Sequence, residues 1–132
     1  MNKSVDVAIG FFLVGLVAIL DIAVIALILN PLVSTLTSAQ YNNAVNIWHI
    51  ALAAFVVLVA LLFWLGLGKP FTALWFVGLT AGGWEDAFYF WLQGQQVPAA
   101  LPWLPHYPTA TILYTAMAAS VVILYVITRE WK

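Results

Sequence analysis

Four apolar stretches, each about as long as a bilayer is thick, set the terms for this chain. They cover residues 5–29, 41–67, 71–93 and 109–128. A membrane-spanning helix takes about 20 mostly apolar residues. Asn30-Pro31 closes the first stretch, Gly66-Leu67-Gly68-Lys69-Pro70 the second and Gly94 the third. Proline removes a backbone donor and glycine accepts the left-handed turn that ends a helix, so these are chemical stop signals. Charged residues make up 7% of the chain and hydrophobic ones 65%, whereas a soluble domain carries about 25% charged residues. A soluble fold of 132 residues could not hide that much apolar surface, so its solvent is expected to be lipid. The first stretch is longer than the roughly 7–15 residues of a signal-peptide core, so it reads as a retained helix. The expectation is a single all-α domain, an integral membrane four-helix bundle that runs up-down-up-down, multi-pass in the cell membrane.

The basic residues give an orientation. Lys3 precedes the first helix, Lys69 joins the second to the third, and Arg129 and Lys132 follow the fourth. In a four-helix topology all of them fall on one side. The loops 31–40 and 94–108 contain no Lys or Arg. By the positive-inside rule both termini are cytoplasmic. The junction near Lys69 is short, which makes helices 2 and 3 antiparallel neighbours. The loop 94–108 carries Pro98, Pro102, Pro105 and Pro108, with Leu101, Trp103, Leu104 and Tyr107 between them. It cannot form a long helix and is too apolar for open water. It is expected at the headgroup level, with Trp103 as an anchor, either as a lid on the outer end or as a plain connector.

Some functions are excluded at once. A net charge of −1 with no basic patch argues against nucleic acid. The absence of cysteine removes disulfides, thiolate metal sites and iron–sulfur clusters. The partners that remain are the bilayer itself, other membrane subunits, and a second copy through Gly78-x-x-x-Gly82, a close-approach motif.

The functional signal is ionisable. An Asp at a helix centre costs about 2.5–3.5 kcal/mol on insertion scales, and such residues turn inward and mark candidate sites. Asp21, His49, Glu85 and Asp86 fall inside the apolar stretches. Counted from the outer helix ends at 1.5 Å per residue, all lie about 10–14 Å deep, in the outer half of the bilayer. Asn42, Asn46 and His49 share one face of helix 2, and Thr111 and Thr115 one face of helix 4, with Tyr89 one turn beyond Glu85 and Asp86. In helix 3, Asp86 extends the Gly78–Gly82 row by four residues. The glycines are expected to bring a neighbouring helix close, with the carboxylates facing what it carries.

Three chemistries fit these residue types. Asp21, His49, Glu85 and Asp86 suit a divalent metal such as Zn²⁺, Mn²⁺ or Fe²⁺, although adjacent Glu85 and Asp86 point about 100° apart. A carboxyl in lipid beside an imidazole suits general acid–base catalysis on an amphiphile, or the binding of a cation. Haem held by His49 and His106 is the weakest, because only His49 lies within a helix. Against all of these stands an accessory subunit of a larger membrane complex, whose polar residues are interhelical glue. Whether the protein is an enzyme stays open at this level.

Overall fold

The computed structural model describes residues 3–98 and 109–130. All the regular structure among them is helical. Helix α1 is Lys3–Val24, and it continues through a wide π turn, Ile25–Leu29, and a tight 3₁₀ turn, Asn30–Leu32. Helix α2 is Ser38–Leu61, followed by a second π turn, Leu62–Gly66. Then come α3, Pro70–Ala81, α4, Trp84–Trp91, and α5, Thr109–Thr128. Three helical runs, Lys3–Leu32, Ser38–Gly66 and Ala110–Thr128, are long and apolar enough to cross a membrane.

Local chemistry explains where these elements start and stop. Pro31 does not stop the first helix. It sits in the first turn of the 3₁₀ segment, where its missing N–H costs nothing. Helix α2 begins three residues before the expected position, because Thr37 and Gln40 form a reciprocal capping box. The Thr37 amide donates to Gln40 Oε1 at 2.9 Å, and the Gln40 amide to Thr37 Oγ1 at 3.1 Å. Pro70 opens α3 from the position proline prefers.

The third stretch is not the continuous helix expected over 71–93. It breaks at Gly82-Gly83, where Gly83 takes φ = 92°. That left-handed conformation ends α3 and lets α4 start as a separate helix. At 12 residues, α3 is about 18 Å long and does not cross a bilayer alone.

Helix α3 is the centre of the assembly. It packs against α1, α2 and α5, and Phe71, Ala73, Trp75, Phe76 and Leu79 are buried there with Val14, Val17, Leu52, Val56 and Leu124. A second apolar cluster joins Ala87 to Val97, Leu113 and Met117. The outward faces of α1, α2 and α5 are lined by large apolar side chains such as Phe12, Leu58 and Val122.

The small-residue row faces α5. A Cβ on Gly78 would stand 2.7 Å from Leu124, and one on Gly82 would collide with Ser120. This corrects the expectation that Gly78, Gly82 and Asp86 form one face. The break turns Asp86 away from the glycines, towards α1 and α2. It also means that the face expected to serve self-association is occupied within the chain.

Candidate functional site

A cavity of about 570 Å³ opens between the far ends of α1 and α2 and the short helix α4. From the first helical run come Asp21 and Ile25, the latter opening the π turn. Such turns insert an extra residue and recur at functional sites. Helix α2 supplies Tyr41, Asn42, Val45, Asn46 and His49. Helix α4 supplies Asp86, Tyr89 and Phe90, and Pro98 closes one side. The spacing on α2 is the i, i+4, i+7 face that helical geometry demands.

The helix break positions the carboxyl groups. Because α4 starts at Trp84, Glu85 and Asp86 occupy its first turn, where unpaired amides and the positive helix end favour negative charge. Trp84 pins that turn to α5: its Nε1 donates to Met117 O and Ser120 Oγ, both at 3.1 Å. Its ring also meets Phe11 edge to face at 4.9 Å.

Asp86 points into the cavity. Glu85, 7% exposed, lies behind it, with Asp21 and Asp86 as its electrostatic neighbours. Its Oε1 is buried without a hydrogen-bond partner. Asp21, 3% exposed, accepts a hydrogen bond from Trp48 Nε1 at 2.7 Å. Asp86 and Glu85 thus divide their roles by the roughly 100° that separates neighbours on a helix. Among the described residues no Lys or Arg lines the cavity.

The structure therefore gathers Asp21, Asn42, Asn46, His49, Asp86 and Tyr89 around one space, with Glu85 packed against its wall. It does not bring Thr111 and Thr115 there. Both are exposed on α5, and the Thr115 hydroxyl donates to the Thr111 carbonyl of its own helix at 2.7 Å. The divalent-metal reading finds no geometric support: among the described residues, no three His, Asp or Glu side chains are grouped to hold one ion. His106, Trp103 and the rest of the proposed lid over 99–108 lie outside the described residues, although its leading edge, Pro98, does reach the cavity.

Three features escaped the sequence reading. Tyr41 and Phe90 line the cavity, and Trp48 ties Asp21 to α2. Trp48 precedes His49 directly, so its closeness to the polar face was a usable signal. Asp6 is the largest omission. It is 3% exposed, accepts the Thr72 hydroxyl at 3.2 Å and pairs with Lys69 at 3.8 Å. Nearby, Lys3 Nζ donates to the carbonyls of Thr128 and Arg129, both at 3.4 Å. Lys3, Lys69 and Arg129 are therefore together at the end of the molecule remote from the cavity. Comparison with known proteins gives no matching family model, no matching curated protein and no matching solved structure.

Proposed function

We propose that this chain is a four-helix membrane protein whose third crossing is made by α3 and α4 in series. Both termini are cytoplasmic, and the cavity opens in the outer half of the bilayer. There it binds the polar head of an amphiphilic small molecule, whose apolar part stays among the lipid-facing side chains. The basic end, with Lys3, Lys69 and Arg129, is the cytoplasmic end under the positive-inside rule. The observation that carries the reading is the cavity itself: a largely apolar space of ligand-pocket size with a few convergent polar side chains, beside a helix broken in mid-course. Discontinuous helices are a recurrent way to build binding sites at membrane depth, because they expose backbone ends that a continuous helix hides.

Two experiments test it. The chain has no cysteine, so single-cysteine variants report cleanly. Ser38→Cys and Gln95→Cys are expected to react with an impermeant thiol reagent from outside intact cells, and Lys132→Cys only after permeabilisation. The opposite pattern reverses the orientation. For binding, protein extracted from membranes is weighed by native mass spectrometry beside Asn46→Trp, which plugs the cavity. A one-to-one small-molecule adduct on the wild type that is missing from Asn46→Trp supports the site. No adduct, or one that survives the plug, overturns it.

His49 and Asp86 share the cavity wall, which also equips the site for proton transfer to a bound head group. One observation favours the rival reading of an accessory subunit held together by polar glue. Asp21 already spends one oxygen on an interhelical hydrogen bond from Trp48.

A further inference from the structure

We infer that the head group recognised by the cavity is an organic cation, a primary amine or a quaternary ammonium. The inference rests on the binding site proposed above and narrows its ligand to a chemical class.

The charge balance comes first. Asp21 and Asp86 line the cavity, and Glu85 is set against both of them. The one basic side chain on the wall is His49. The lysines and the arginine among the described residues sit at the other end of the molecule, where Lys69 serves Asp6. At low dielectric a group of carboxyls attracts any positive charge that enters far more strongly than it would in water. The positive end of α4 does not change the sign, because the chain's own Glu85 and Asp86 already occupy its first turn.

The second element is aromatic and independent of the acids. Tyr41, Tyr89 and Phe90 lie on two helices and face the same space. Ring faces attract ammonium groups through their quadrupole, and aromatic walls joined to a carboxylate are a recognised solution for alkylammonium ligands. A small metal ion would have no use for these rings. The third element is the buried Glu85 Oε1, which has no hydrogen-bond partner. Polar atoms left unpaired in a protein interior are costly, and this one belongs to a carboxyl packed behind Asp86, with Asp21 and Asp86 as its charged neighbours. A cation held between those two groups would draw on it electrostatically. Asn42 and Asn46 add amide oxygens able to accept from an N–H donor.

The test is calorimetric titration of the purified protein in maltoside micelles. Hexyltrimethylammonium, hexylamine, hexanol and hexanoate serve as probes of equal chain length, and Zn²⁺ alone as the metal control. Both cations are expected to bind one to one, at least tenfold more tightly than hexanol or hexanoate. Asn46→Trp is expected to abolish that binding. Asp86→Asn is expected to weaken it at least tenfold, with an unchanged melting temperature to show that the fold survives. Phe90→Leu is expected to weaken hexyltrimethylammonium about fivefold. If hexanol or hexanoate binds as tightly and Asn46→Trp blocks it, the site stands and the cation class falls. If Zn²⁺ binds in an Asp86-dependent way while both ammonium probes fail, the organic cation is overturned in favour of a metal. If no probe binds in a manner that Asn46→Trp blocks, the cation class and the site fall together.

Discussion

Asp6 and Asp21 stand on one helix, each 3% exposed and about 22 Å apart by helical rise, in surroundings that differ in kind. Asp6 has Lys69 at 3.8 Å and the Thr72 hydroxyl at 3.2 Å. Asp21 has the Trp48 indole, two further carboxyls nearby, no lysine or arginine, and a cavity in front of it. A buried carboxylate with a cation and a donor in place is part of the scaffold. One among other carboxyls, facing open space, is arranged for something that arrives. Burial alone separates neither case. Whether a lysine of the chain is paired with it does.

The largest effect is expected at the helix break that creates the cavity end. Gly83→Ala places a Cβ against Leu113 and forces a non-glycine residue to φ = 92°. The backbone cost is about 1–2 kcal/mol and the overpacking cost about 1–3 kcal/mol. Equilibrium unfolding in mixed micelles is expected to show a loss of that combined order, together with loss of ligand. A Gly83→Ala protein with wild-type stability would mean that α4 does not depend on the break for its position.

Lys69→Met probes the basic end and is expected to come next. It strands a buried carboxylate whose Oδ2 already lacks a hydrogen-bond partner. Breaking a fully buried pair from one side costs about 3–5 kcal/mol. Lys69 is 44% exposed, so solvent takes up part of that loss and about 1–2 kcal/mol is expected. Adding Asp6→Asn to Lys69→Met is expected to recover most of it, because no stranded charge then remains. A double variant no better than the single one would reduce the pair to a bystander.

The same experiment at the cavity end is expected to come out near zero. Asp86→Asn and Glu85→Gln remove a carboxyl that has no lysine or arginine partner there. Melting temperature is expected to hold or rise as a desolvation cost disappears, while ammonium binding weakens at least tenfold. Variants that melt early and keep their ligand would make the cavity-end carboxyls glue, and the contrast between the two ends would collapse.

Which parts of this arrangement could be read from the chain follows the physics of each signal. The three long helices were legible because a bilayer crossing takes about 20 apolar residues in a row. That Asn42, Asn46, His49 and Asp86 border one space was legible because helical spacing and the placement of polar residues in apolar stretches are properties of sequence. Asp6 was not, since an acid in a first turn reads as a solvated helix start, and only its approach to Lys69, 63 positions away, reveals burial. Thr111 and Thr115 failed for a different reason. Periodicity defines a face but not the neighbour it meets, and that face of α5 is exposed. The Gly82-Gly83 pair was a visible breaker, yet reading Gly78-x-x-x-Gly82 as a packing motif concealed its second use as a helix break. The capping box at Thr37 and Gln40 was likewise present in the sequence, and it outweighs the polar character of residues 38–40 in setting the start of α2.

Trp48→Phe is expected to have the smallest effect and makes the finest cut. It removes the 2.7 Å hydrogen bond to Asp21 while keeping an aromatic ring in place. Interhelical hydrogen bonds in membranes average about 0.6 kcal/mol, so a stability loss of that order is expected. The consequence for binding depends on what the bond is for. If Trp48 only staples α1 to α2, affinity for an ammonium probe should follow stability and hardly move. If it fixes the direction of the Asp21 carboxylate beside the cavity, affinity should fall several-fold. The loss should be the same for hexylamine and hexyltrimethylammonium, since Tyr41, Tyr89 and Phe90 would be untouched. Phe90→Leu should instead discriminate between those two cations. Measuring both probes on both variants therefore separates the carboxylate contribution from the aromatic one. A Trp48→Phe protein that discriminates between the probes as Phe90→Leu does would place the indole among the recognising rings and make the Asp21 bond secondary.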